Sequence, residues 1–105
     1  MSTAYYTHAE CRLHDMGEGH PECPQRLDAI ADHLRATGLD IALDYQDAPL
    51  ATEAQIERAH AAGYVLDILD RMRRVRGLGE HHAVDPDTVI AAGTLLAALR
   101  SAGAA

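Results

Sequence analysis

The sequence contains no lysine, no phenylalanine and no tryptophan, and its large aromatic rings are four tyrosines. A core must therefore be built from Ala, Leu, Ile, Val, Met and Tyr, and such a core buries less per residue than one rich in aromatic rings. No apolar run nears the roughly 20 residues of a membrane-spanning helix. The N-terminus lacks the charged-then-apolar layout of a secretory leader, so a cytoplasmic location is expected. Cysteine is scarce as well. Cys11 and Cys23 are the only two, and without a leader they read as free thiols rather than a disulfide. Positive charge is also short: nine arginines stand against 16 aspartates and glutamates, for a formal charge of -7. That balance argues against a nucleic-acid backbone or an anionic membrane as partner. At 105 residues the chain is expected to form a single domain, residues 1–105, with a modest core.

What the sequence does have is one stretch dense in special residues: Leu13-His14-Asp15-Met16-Gly17-Glu18-Gly19-His20-Pro21-Glu22-Cys23-Pro24-Gln25-Arg26-Leu27. Gly17 and Gly19 permit backbone angles closed to other residues, while Pro21 and Pro24 fix theirs, so the loop can bend sharply and stay stiff. Pro24 suits the first turn of a helix. A stiff loop that carries two histidines, three carboxylates and an arginine at a helix start is suited to the rim of a site, where positioning matters.

On either side the pattern alternates between short strands and helices. Ala4-Tyr5-Tyr6-Thr7 favours a strand. Leu27, Ile30, Ala31 and Leu34 fall on one helical face, and Gly38 ends that helix. Ile41-Ala42-Leu43-Asp44-Tyr45 reads as a second strand, and strand, helix, strand in that order implies a parallel pair with a crossover helix. Thr52 and Gln55 have capping-box spacing and open a helix carrying Ile56, Ala59 and His60. After a break near Ala62-Gly63, Val65, Ile68, Leu69 and Met72 share one face, with Arg71, Arg73, Arg74 and Arg76 crowding the C-terminal end. Residues 77–84 lack periodicity and read as an exposed loop. Asp85-Pro86-Asp87-Thr88 carries helix-start chemistry for a helix containing Leu95, Leu96 and Leu99, with Gly93-Thr94 as the alternative start. The fold class is α/β and α-rich, a short parallel strand pair with about four helices.

The loop string resembles the N-terminal signature of the histone deacetylase and acetylpolyamine amidohydrolase family, especially its bacterial class II-like members. The resemblance continues through Arg58-Ala59-His60, Gly63-Tyr64-Val65, Val84-Asp85-Pro86-Asp87-Thr88 and Ala92-Gly93-Thr94, and so covers nearly the whole chain. It implies the opening portion of the arginase-deacetylase fold, without the zinc-binding half. In the family, zinc held by two aspartates and a histidine polarises an acetamide carbonyl and activates water, with a His-His pair in proton transfer. The resemblance places those segments C-terminal to everything in this sequence. His81-His82 imitates the catalytic pair but stands in the wrong register, just ahead of the Val84 segment.

Residue by residue, the resemblance makes Arg26 the arginine of an internal channel, where its fork can hold a small carboxylate. His20, with Asp85 or Asp87, would stand at the substrate rim. The alternative for the aspartates is a helix N-cap, and for His14 and His20 it is bonding to loop backbone. Independently of the family, Cys11-x-x-His14 and His20-x-x-Cys23 could make a tetrahedral zinc set, although the gap between the pairs is far shorter than in zinc fingers.

Three functions follow. The first is a truncated deacetylase-like module, catalytically inactive alone and without cofactor, acting in assembly or binding as a homo-oligomer. The second is one part of a zinc-dependent amidohydrolase acting on acetyl-lysine or acetylpolyamines once a complementary chain supplies the ligands. The third is a small zinc-binding module.

Overall fold

The structure, a computed structural model, describes residues 2–75 and 81–105. Arg76 and residues 77–80 of the expected loop lie outside the described residues. Strand β1 (Thr3–Thr7) runs into a 3-10 helix (Ala9–Leu13), then the glycine-rich loop, then helix α1 (Gln25–Thr37). A second 3-10 helix (Leu39–Ala42) leads into β2 (Leu43–Asp47). Helices α2 (Glu53–Glu57) and α3 (Ala62–Val75), a hairpin of β3 (His82–Asp85) and β4 (Thr88–Ile90), and helix α4 (Thr94–Ala104) complete the order. No helix of the described residues is long and apolar enough to cross a membrane.

β1 and β2 pair in parallel from Thr3 opposite Leu43 to Thr7 opposite Asp47, with α1 as the crossover. Tyr5 and Tyr45 sit at the same register position and stack edge to face at 5.2 Å, a favoured aromatic geometry. β2 starts two residues later than its apolar pattern suggests, because the segment after Gly38 first makes a 3-10 turn that uses Ile41 and Ala42. Ile41 is left 89% exposed.

The first helix has its expected bounds, yet its stripe is not a core. Leu27, Ala31 and Leu34 are half-buried and Ile30 is exposed. Two strands present too narrow a surface to cover a helix of this length. Thr52 and Gln55 do form the reciprocal cap of α2. That helix ends at Glu57, short of His60, whose ring instead stacks on Tyr64.

The packed centre lies between α3 and α4, where Val65, Leu69 and Leu95 are buried and Ile56, Met72 and Leu99 pack against them. Asp85-Pro86-Asp87-Thr88 does not start a helix. It turns the hairpin, with the Asp85 carboxylate accepting from the Asp87 backbone N–H at 2.8 Å, an arrangement that short acidic side chains favour in turns. Helix α4 begins at the alternative start, capped by Gly93.

The segment after β2 ties the two halves together. The Ala48 N–H donates to the Thr7 carbonyl, and the Ala51 N–H donates to the Leu99 carbonyl of α4, both at 2.9 Å. Ala48 and Ala51 are 1% and 7% exposed. Backbone this deeply covered needs such partners, because an unpaired buried amide is costly.

Candidate functional site

The glycine-rich loop is held by its own side chains. Asp15 Oδ1 accepts from the Gly17 N–H at 3.0 Å, and His20 Nδ1 accepts from the Glu22 N–H at 3.0 Å. Gly17 and Gly19 both have positive φ, 107° and 80°, so the stiffness expected of the loop rests on glycines that no other residue replaces without strain.

Two groupings form around this loop. The first is a cleft of about 370 Å³ between the end of β1, the 3-10 helix, the start of α1 and the body of α4. Its lining includes Tyr6, Cys11, His14, Glu22, Arg26 and Arg100. Arg26 reaches it from the first turn of α1, half-exposed and paired with Glu22 at 3.0 Å. Arg100 reaches it from α4 and is more enclosed, its side chain 19% exposed. The Arg100 guanidinium donates from Nη2 and Nε to Glu10 Oε1, at 2.8 and 3.2 Å, and from Nη1 to the Ala48 carbonyl at 2.8 Å. It therefore braces the 3-10 helix, α4 and the end of β2 at once, and one wall of the cleft depends on it.

His14 is placed by a close approach of backbone. A Cβ on Gly93 would stand 2.6 Å from Leu13 Cβ, so the bare glycine lets the end of the 3-10 helix sit against the start of α4. His14 Nδ1 then lies 3.0 Å from Thr94 Oγ1, which accepts from the Ala91 N–H at 2.9 Å. Thr94 is 6% exposed, the one buried polar residue among those described.

The second grouping joins the glycine-rich loop to the hairpin turn. His20 Nε2 lies 3.2 Å from Asp87 Oδ1, across 67 residues of sequence. Since His20 Nδ1 already accepts from Glu22, Nε2 carries the hydrogen and donates to Asp87. Asp87 itself is 93% exposed, so it can exchange this partner for another at little cost. Asp85 is engaged in the turn behind it.

The expected rim residues His20, Asp85 and Asp87 thus come together, and Arg26 stands apart from them at the inner cleft. The four candidate zinc ligands divide: Cys11 and His14 line the inner cleft, while His20 and Cys23 line a separate open depression with Asp15 and Glu18. Among the described residues no group of three or more His, Cys, Asp or Glu is gathered to hold a metal ion, and the four candidate ligands do not form one set. His82 opens β3 opposite Ile90 with His81 just ahead of it, both exposed.

Sequence reasoning missed Arg100, Glu10 and Thr94 as site residues. Arg100 had one local signal, being the only charged residue in an otherwise apolar and small-residue helix.

A model of the histone deacetylase domain matches residues 20–105 of the chain. The chain belongs to the histone deacetylase family, as an N-terminal portion of that domain. A comparison with the curated proteins finds no match.

Proposed function

We propose that this chain is the rim-and-channel part of a deacetylase-type domain, that it holds no zinc and hydrolyses no acetyl amide alone, and that it acts by assembling with another chain. One observation carries this reading. Arg26, His14 and Arg100 gather at an inner cleft and His20 meets Asp87 of the hairpin turn, while the described residues gather no three metal donors. A cleft that can hold a small carboxylate, with no gathered set of metal donors among the described residues, supports a binding role for this chain.

The surface supports the assembly half of the reading. Ile41, Leu66, Leu39 and Tyr64 are 89%, 60%, 56% and 53% exposed, and among the described residues the two two-stranded sheets pair with no further strand at their outer edges. Open edges and uncovered apolar residues both favour association. A second copy of the chain is the simplest cover, giving a homo-oligomer.

The other reading is that a complementary chain brings the metal ligands and the pair removes acetyl groups from acetyl-lysine or acetylpolyamines. Arg26 at the cleft is compatible with it, because its guanidinium fork can hold the small carboxylate that such hydrolysis releases. Both cysteines are free, which suits a reducing, cytoplasmic setting.

The test is hydrolysis of an acetyl-lysine peptide and of an acetylpolyamine by the purified chain with added zinc. The expected rate is that of zinc in buffer. Turnover above that background, abolished by Arg26→Ala, would contradict the proposal.

A further inference from the structure

We propose that Thr94 is a positioning residue that fixes His14 as its Nε2–H tautomer, so that the ring meets a ligand in the inner cleft as a hydrogen-bond donor. The argument is one of hydrogen counting. A threonine hydroxyl has one hydrogen and two lone pairs. One lone pair of Thr94 Oγ1 is taken by the Ala91 N–H. The remaining contact, to His14 Nδ1 at 3.0 Å, can run either way.

If Nδ1–H donated, the Thr94 hydrogen would need another acceptor, and among the described residues Oγ1 makes hydrogen-bond contacts only to His14 and the Ala91 N–H. An unmade bond at such depth is costly. If the hydroxyl donates to Nδ1 instead, every group is satisfied: Ala91 N–H to Oγ1, Oγ1–H to Nδ1. The neutral ring then carries its hydrogen on Nε2, which makes no hydrogen bond to the described residues.

The consequence is chemical. A neutral His14 in this tautomer cannot accept a proton through Nε2. His14 and Arg26 both line the inner cleft, and two donors there share a preference for a ligand oxygen such as a carboxylate or a carbonyl. That functional meaning rests on the reading of the cleft given above, whereas the tautomer itself does not.

Long-range proton–nitrogen correlation of the 15N-labelled chain reads the tautomer directly, at a pH where the ring is neutral, with His14→Gln assigning the resonances. The expected spectrum has Nδ1 at the position of an unprotonated acceptor and Nε2 as the protonated nitrogen, in at least about fivefold excess. Thr94→Ser keeps the hydroxyl and should keep the pattern. Thr94→Val removes it and should lower the Nε2–H to Nδ1–H ratio towards that of a free imidazole.

A protonated Nδ1 in the unaltered chain overturns the proposal. So does a Thr94→Val spectrum with the original ratio in a folded protein. Should Thr94→Val fail to fold, a changed ratio in Thr94→Ser overturns it equally. A chain that hydrolysed acetyl amides alone would sink the assembly reading and leave these spectra unchanged.

Discussion

Gly103→Ala should lower the stability of the chain by about 3 kcal/mol or more, enough in a domain this small to abolish a cooperative thermal transition. A Cβ at Gly103 would collide with the Pro49 carbonyl oxygen and stand 2.7 Å from the Pro49 carbonyl carbon and 2.9 Å from the Ala51 nitrogen. All three are backbone atoms, so no side chain can swing aside. The linker cannot retreat without giving up the Ala51 to Leu99 hydrogen bond at 2.9 Å. Helix propensity alone would predict the opposite sign, since alanine is favoured over glycine in a helix interior by about 1 kcal/mol. Gly63→Ala is the control: in α3 a Cβ meets nothing within 4 Å. It should therefore stabilise by about 0.5–1 kcal/mol. Thermal unfolding of the two variants by circular dichroism should move in opposite directions. A Gly103→Ala protein as stable as the parent would mean that the linker does not lie on α4.

Arg100→Ala should cost about 2 kcal/mol and lower the melting temperature by on the order of 10 °C. Removing one partner of a fully buried ion pair costs about 3–5 kcal/mol. Here the Arg100 and Glu10 side chains are 19% and 25% exposed, so water takes back part of the penalty. The Ala48 carbonyl is the other loss, left without its donor in a residue that is 1% exposed. Arg100→Lys keeps the charge but not the fork that serves Glu10 and Ala48 together, and should recover less than half of the loss. Full recovery by lysine, read by the same melting curves, would reduce the role of Arg100 to charge alone.

What could be read from the sequence was local chemistry. β1, α1 with its glycine end and the capping box at Thr52 and Gln55 all depend on residues within a few positions of one another, and all are in place. The Asp85 segment misled because Asp-Pro-Asp-Thr serves a turn as well as a helix start, and the deciding factor was the pairing of β3 with β4. The α1 stripe misled differently. Its periodicity is sound, but periodicity says which face wants cover and not whether two strands can supply it. Of the loop residues singled out by their motif, His20 is joined to Asp87 of the hairpin turn. Arg100 and Thr94 were not legible, since their partners Glu10 and His14 lie 90 and 80 residues away and leave no local pattern.

Native mass spectrometry of the purified chain with zinc supplied tests the central claim most directly, because one spectrum reports subunit number and metal occupancy together. The account predicts a metal-free oligomer. A monomer carrying one zinc that survives mild activation would contradict it, and would mean that Cys11, His14, His20 and Cys23 come together after all.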